Sequence, residues 1–134
     1  MQRELPGFGV LISTIALAEL GMPQRFRNQK AYAKATGLTP GYRKSGGNEQ
    51  PTSITRQGSR HARWAFTRAV IACLRCKSGT GLQIRQWIEQ RVRYKPKKKV
   101  IVAAARKLAE GVWRLFAYGE AFQLEAAFPV SRTN

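Results

Sequence analysis

A stripe of apolar residues in the last third of the chain sets the tightest limit on what it can become. Ile101, Ala104, Ala105, Leu108, Val112, Leu115 and Phe116 recur at intervals of three and four for more than four turns. That period lines one face of an α-helix, and such a face must be buried against other elements. Glu110 and Arg114 add an i,i+4 pair on its exposed side.

The partners share the helical period. Val10–Leu20 has helical apolar spacing and stops at Gly21 and Pro23. Ala31, Tyr32 and Ala35 mark a short helix over residues 28–36, closed by Gly37-Leu-Thr-Pro40. Ala62, Ala65, Phe66, Ala69, Val70 and Cys73 predict an amphipathic helix over 59–77. Ser78-Gly-Thr-Gly81 reads as a break, and Ile84, Trp87, Ile88 and Val92 mark another helix to about Tyr94. Lys95-Pro-Lys-Lys-Lys99 reads as a basic connector. The expectation is an all-α fold, a compact bundle of about five helices within residues 1–122, with a frayed tail over 123–134. Between the second and third helices, residues 41–58 are poor in apolar side chains and rich in turn formers, a long loop with at most a short extended piece.

Charge narrows the partners. The chain has 24 Lys+Arg against 7 Asp+Glu, net +17 over 134 residues, which calls for an anionic partner. All seven acids are Glu, scattered along the chain, so a carboxylate metal cluster is hard to build. Cys73 and Cys76 have a single histidine, His61, to join them, too few ligands for a structural zinc site, and they read as core thiols. The longest apolar run, Val10–Leu20, is too short and too polar to span a membrane. The first residues lack the pattern of a secretory leader, so the expected location is the cytoplasm.

Several short motifs bear on chemistry. Pro6-Gly-Phe-Gly9 before a helix is similar to the turn of a helix-hairpin-helix, where glycines such as Gly7 and Gly9 let backbone N–H groups approach a DNA phosphate. Arg43-Lys44-Ser45-Gly46-Gly47 sets a hydroxyl between cations and glycines. Such a serine needs its proton removed, or its transition state neutralised, before it acts as a nucleophile. Arg43, Lys44, Arg56, Arg60 and Arg63 are the candidate phosphate-binding cations, and the serine loop itself also fits a flexible solvated turn. His61, among the first residues of the 59–77 helix, is a binding candidate, as are Lys97 and Lys98 of the basic run. Trp64, Trp87 and Trp113 fall on or beside apolar stripes and read as core.

The order of these motifs adds a resemblance. Leu5-Pro-Gly-Phe-Gly9, Ala18-Glu-Leu-Gly21, Arg25-Phe26, Thr36-Gly-Leu-Thr-Pro40, Ser45-Gly46, Ile54-Thr-Arg-Gln-Gly58, Arg63 and Ala105-Arg-Lys-Leu108 with Trp113 follow one another. The set resembles the C-terminal domain of the insertion-sequence 110/116/902 group of transposases, the bridge-RNA-guided serine recombinases. The match runs over about residues 4–122.

The resemblance implies DNA recombination through a phosphoserine–DNA link, with Ser45 as the nucleophile. It implies as partners DNA, a structured guide RNA and further copies of the chain. It also implies an N-terminal RNase-H-like domain whose Asp-Glu-Asp-Asp site would hold Mg2+. That acidic half is not in this sequence, and a truncated or partial chain is the expectation. Three positions depart from the family pattern: Arg56 stands for the usual Lys, Ser59 for Asn and Ala62 for Leu. Arg for Lys keeps the charge but changes its geometry. The rival reading is a non-catalytic helical module that grips nucleic acid through its basic faces.

Overall fold

The structure, a computed structural model, describes residues 10–38, 40–45, 48–54, 59–119 and 124–130. The fold is all-α, as the periodicity predicts. Its helices are α1 (Val10–Leu20), α2 (Gln29–Ala35), α3 (Arg60–Cys73), α4 (Gly79–Arg91), α5 (Lys97–Tyr118) and the short α6 (Leu124–Ala127), with one 3-10 turn at Pro23–Arg25. The turn at Pro6 to Gly9, with Gly7 and Gly9, lies outside the described residues.

Helix α5 organises the rest, because it packs against α2, α3, α4 and the 3-10 turn. Its buried face is Val100, Ala104, Ala105, Leu108, Ala109, Val112 and Trp113, and the small residues at 104, 105 and 109 let neighbouring helices come close. The Trp113 Nε1–H donates to the Phe26 carbonyl at 2.9 Å, tying the 3-10 turn to the far end of α5. Gly119 then ends the helix in the left-handed region, φ 66°, where a side chain would be strained. Tyr32 and Phe66 meet edge to face at 6.2 Å, joining α2 to α3 inside the core.

Three boundaries differ from the sequence reading. The glycines of Ser78 to Gly81 begin α4 rather than separating two helices. Gly81 is buried, and a Cβ there would clash with the Cys76 Sγ, so close packing and not flexibility calls for glycine. The Lys97-Lys-Lys99 run is the first turn of α5 rather than a connector. Pro96 stands at the N-cap with φ −57° and ψ 136°, and lysine is a good helix former. Past Gly119, α6 leads to a buried Phe128 whose ring meets Trp87 edge to face at 5.3 Å. The Gln83 Nε2–H donates to the Phe128 carbonyl at 2.8 Å, so this part of the tail is anchored by one aromatic without any periodic stripe.

The segment read as a long loop contains a ribbon. Strands β1 (Pro40–Ser45) and β2 (Asn48–Ile54) pair antiparallel, with an irregularity between Pro40 and Tyr42. Among the described residues no third strand joins them. The hairpin is an insertion between α2 and α3 that leaves the helical fold class unchanged.

Candidate nucleic-acid interface

The register of the ribbon fixes where its cations and hydroxyl sit along the backbone. Pro40 faces Ile54 at the root, then Tyr42 faces Pro51, Arg43 faces Gln50, Lys44 faces Glu49, and Ser45 faces Asn48 at the tip. Ser45 is therefore the last residue of a paired strand rather than a point on an irregular loop. Its neighbours Gly46 and Gly47, and the predicted cation Arg56, lie outside the described residues.

The root is pinned from both sides. Thr36 is buried and its hydroxyl donates to the Ala33 carbonyl, and Leu38 is buried just before β1. On the other side the Ser59 N–H donates to the Ala35 carbonyl at 2.8 Å, bringing the start of α3 onto the end of α2. The Ser59 Oγ accepts from the Ala62 N–H at 3.1 Å as the helix N-cap and donates to Glu19 Oε2 of α1 at 2.8 Å. Ser59, the first described residue after the hairpin, thus links α1, α2 and α3.

Three predicted binding residues gather at this root. Arg60 and His61 are exposed in the first turn of α3, where unpaired backbone N–H groups and the helix dipole favour an anion. Arg63 is half-buried, and among the described residues its Nη1 has no hydrogen-bond partner although it is shut off from solvent.

Lys97 and Lys98 stand elsewhere, exposed at the corner between α4 and α5. From Arg91 to Lys99 the chain carries six cations and no acid, with Tyr94 exposed among them. The Arg91 guanidinium lies 4.3 Å from the centre of the Trp87 ring, and the Lys107 Nζ lies 5.6 Å from it. Burial holds the Lys107 ammonium below its ordinary pKa; Arg91 and Arg106 push the same way and Glu110 opposes them.

The tryptophans divide. Trp87 and Trp113 are buried as expected, but Trp64 is 46% exposed, with the Arg68 guanidinium 5.7 Å from its ring centre. This residue was missed because Trp64 lies between Ala62 and Ala65 in sequence. Two residues along a helix is about 200° around it, which carries Trp64 away from the stripe. The i,i+4 spacing of Arg60, Trp64 and Arg68 was the available signal. Cys73 is fully buried, and burial, helped by Cys76, pushes its thiol up to about 12. Among the described residues no three His, Cys, Asp or Glu side chains converge on a point where a metal ion could sit. No helix among them is long and apolar enough to cross a membrane.

Comparison with known proteins matches residues 3–85 to the family described as Transposase IS116/IS110/IS902. Two curated relatives align with nearly the whole chain. A protein of Sinorhizobium fredii named "Putative transposase y4pF/y4sB" is 28% identical over 121 residues, covering 90% of this chain and 31% of its own length. A protein of Pseudomonas aeruginosa named "Probable family 20 transposase" is 26% identical over 109 residues, covering 81% of this chain and 32% of its own. The chain spans about a third of the length of these relatives. No solved structure matches it.

Proposed function

Because the chain belongs to the transposase IS116/IS110/IS902 family, we propose that it is the DNA-handling helical part of a longer recombinase, with Ser45 as the nucleophile. The observation that carries this reading is the Arg43-Lys44-Ser45 run at the end of a paired strand, in a hairpin that the chain inserts between α2 and the cationic start of α3. In the proposed step the Ser45 Oγ bonds to a DNA phosphorus and gives up its proton. One P–O bond of the strand breaks, and the departing DNA oxygen takes up a proton. Arg43, Lys44, Arg60 and Arg63 hold the phosphate oxygens, and their charge is worth most as charge builds up in the transition state. Gly46 and Gly47 beside the serine leave room for the strand, since glycine has no side chain to obstruct it.

The remaining partners follow from the family resemblance. The RNase-H-like domain with its Asp-Glu-Asp-Asp site would bring Mg2+, which this chain's described residues do not fit, so no step here runs through it. Sequence choice falls to a guide RNA, assembly to further copies of the chain, and the place of action to the nucleoid. Lys97 and Lys98 extend the grip on the backbone, a contact that carries charge and no base sequence.

The test supplies the chain with the RNase-H-like domain and labelled DNA, then looks for a detergent-stable protein–DNA adduct. The adduct is expected with the parent chain and with Ser53→Ala, and is lost with Ser45→Ala. An adduct that survives Ser45→Ala overturns the assignment. The rival reading, a non-catalytic binding module, is favoured by the α4–α5 corner, whose six cations need no serine to hold a phosphate backbone. It wins if DNA binding is intact and no adduct forms in the complete system.

A further inference from the structure

Helix α3 presents a second face, of which the Ser45 reading uses Arg60 alone. Its buried side is Ala62, Ala65, Phe66, Ala69, Val70 and Cys73. At about 100° per residue, Arg60, Trp64 and Arg68 fall on the opposite side, and all three are exposed. Arg75, also exposed, extends the same side into the turn after the helix. None of the 14 residues of α3 is acidic.

An indole left half in water is unusual where the two other tryptophans of the chain are buried. It is set between cations, and the Arg68 guanidinium stands 5.7 Å from its ring centre. A planar aromatic group flanked by positive charge complements a nucleobase flanked by phosphates. Duplex DNA offers phosphates but keeps its base faces covered by stacking, so the ring has work to do only on an unpaired strand. A protein partner would meet the indole equally well, but arginines on a helix that carries no acid of its own, with Glu19 of α1 engaged by Ser59 at its start, favour a polyanion.

We propose that the Arg60–Trp64–Arg68 face of α3 binds an unpaired nucleic-acid strand, with one base stacked on Trp64 and the neighbouring phosphates held by Arg60 and Arg68. The two arginines are about 12 Å apart along the helix axis, leaving the indole between them. The face starts at the first residue of α3, six residues after Ile54 at the end of β2. The proposal rests on the reading that the chain handles nucleic acid, and it does not depend on Ser45 chemistry.

The test is a titration of the 134-residue chain by tryptophan fluorescence, using oligothymidylate, oligouridylate of equal length and a blunt DNA duplex. Trp64 is the exposed indole, so stacking is expected to quench the solvent-exposed part of the emission with single strands and not with the duplex. Comparison of the two oligonucleotides says whether DNA or RNA is preferred, and quenching by either supports the proposal. Trp64→Ala is expected to weaken single-strand binding about 5- to 150-fold, the range of one stacked base. Trp64→Phe should recover most of it, and Met22→Ala, which trims another exposed apolar side chain, should change nothing.

Equal affinity of Trp64→Ala and the parent chain for single strands overturns the stacking proposal. So does a Trp64→Ala defect confined to self-association, which would make the indole a contact between proteins. The Ser45 adduct is scored in a separate assay, so this proposal and the recombinase reading fail independently.

Discussion

Removing the Phe128 ring is expected to cost about 3–5 kcal/mol of folding stability, the usual range for a fully buried phenylalanine. The ring is wholly enclosed, meets Trp87 edge to face and sits where Gln83 holds its own carbonyl. A urea titration of Phe128→Ala measures this, and a loss below about 1 kcal/mol would show that the tail contributes little to the core. The buried Cys73 gives a pH signature with a definite sign. Its folded value near 12 stands above the ordinary 9.0, so the unfolded chain releases this proton first as pH rises. The contribution is therefore complete below about 9 and declines as pH climbs from 9 toward 12. In labelling by a thiol reagent at pH 8, Cys76 should react in the folded chain, while Cys73 should react only as fast as urea opens the core. Two equally fast thiols would contradict the placement of Cys73.

At the scale of elements, Ser59 joins the helices that frame the ribbon, because one hydroxyl caps α3 and also donates to Glu19 on α1. Ser59→Ala should lower stability by about 0.5–2 kcal/mol, measured by the same urea titration, and Ser59→Asn should recover the cap but not the length and angle of the Glu19 link. The helices were legible in the sequence because a periodic face advertises itself over several turns. The stripe from Ile101 to Phe116 and the Ala62-to-Cys73 stripe both lie on helices of the structure. The ribbon was not legible for a physical reason. Its strands, Pro-Gly-Tyr-Arg-Lys-Ser and Asn-Glu-Gln-Pro-Thr-Ser-Ile, lack the alternating apolar positions of a half-buried strand. The available clue was the pair Gly46-Gly47, since Gly-Gly between two short extended runs is a favoured two-residue hairpin connection. Similarly, Phe128 is one anchor without a stripe, and no periodicity could announce it.

Across the whole molecule, the balance of charge decides where function can lie. Glu89 and Glu110 accept from Arg85 and Arg106 four residues away, and Glu19 accepts from Ser59. With so few acids and several of them engaged locally, the exposed faces of the described helices carry a cationic excess. The α3 face and the α4–α5 corner are the clearest of these, each with an exposed aromatic among its cations. The sequence identified the family and the cations; the exposure of Trp64, which its helical angle from Ala62 already implied, is explicit once α3 is set against α1 and α5. The central claim is that Ser45 bonds to DNA, and mass spectrometry of the trypsin-digested adduct tests it most directly. Cleavage after Lys44 and Arg56 releases one peptide that holds both Ser45 and Ser53. Fragmentation is expected to place the nucleotide phosphate on Ser45; a phosphate on Ser53, or on any residue outside this peptide, would contradict the account.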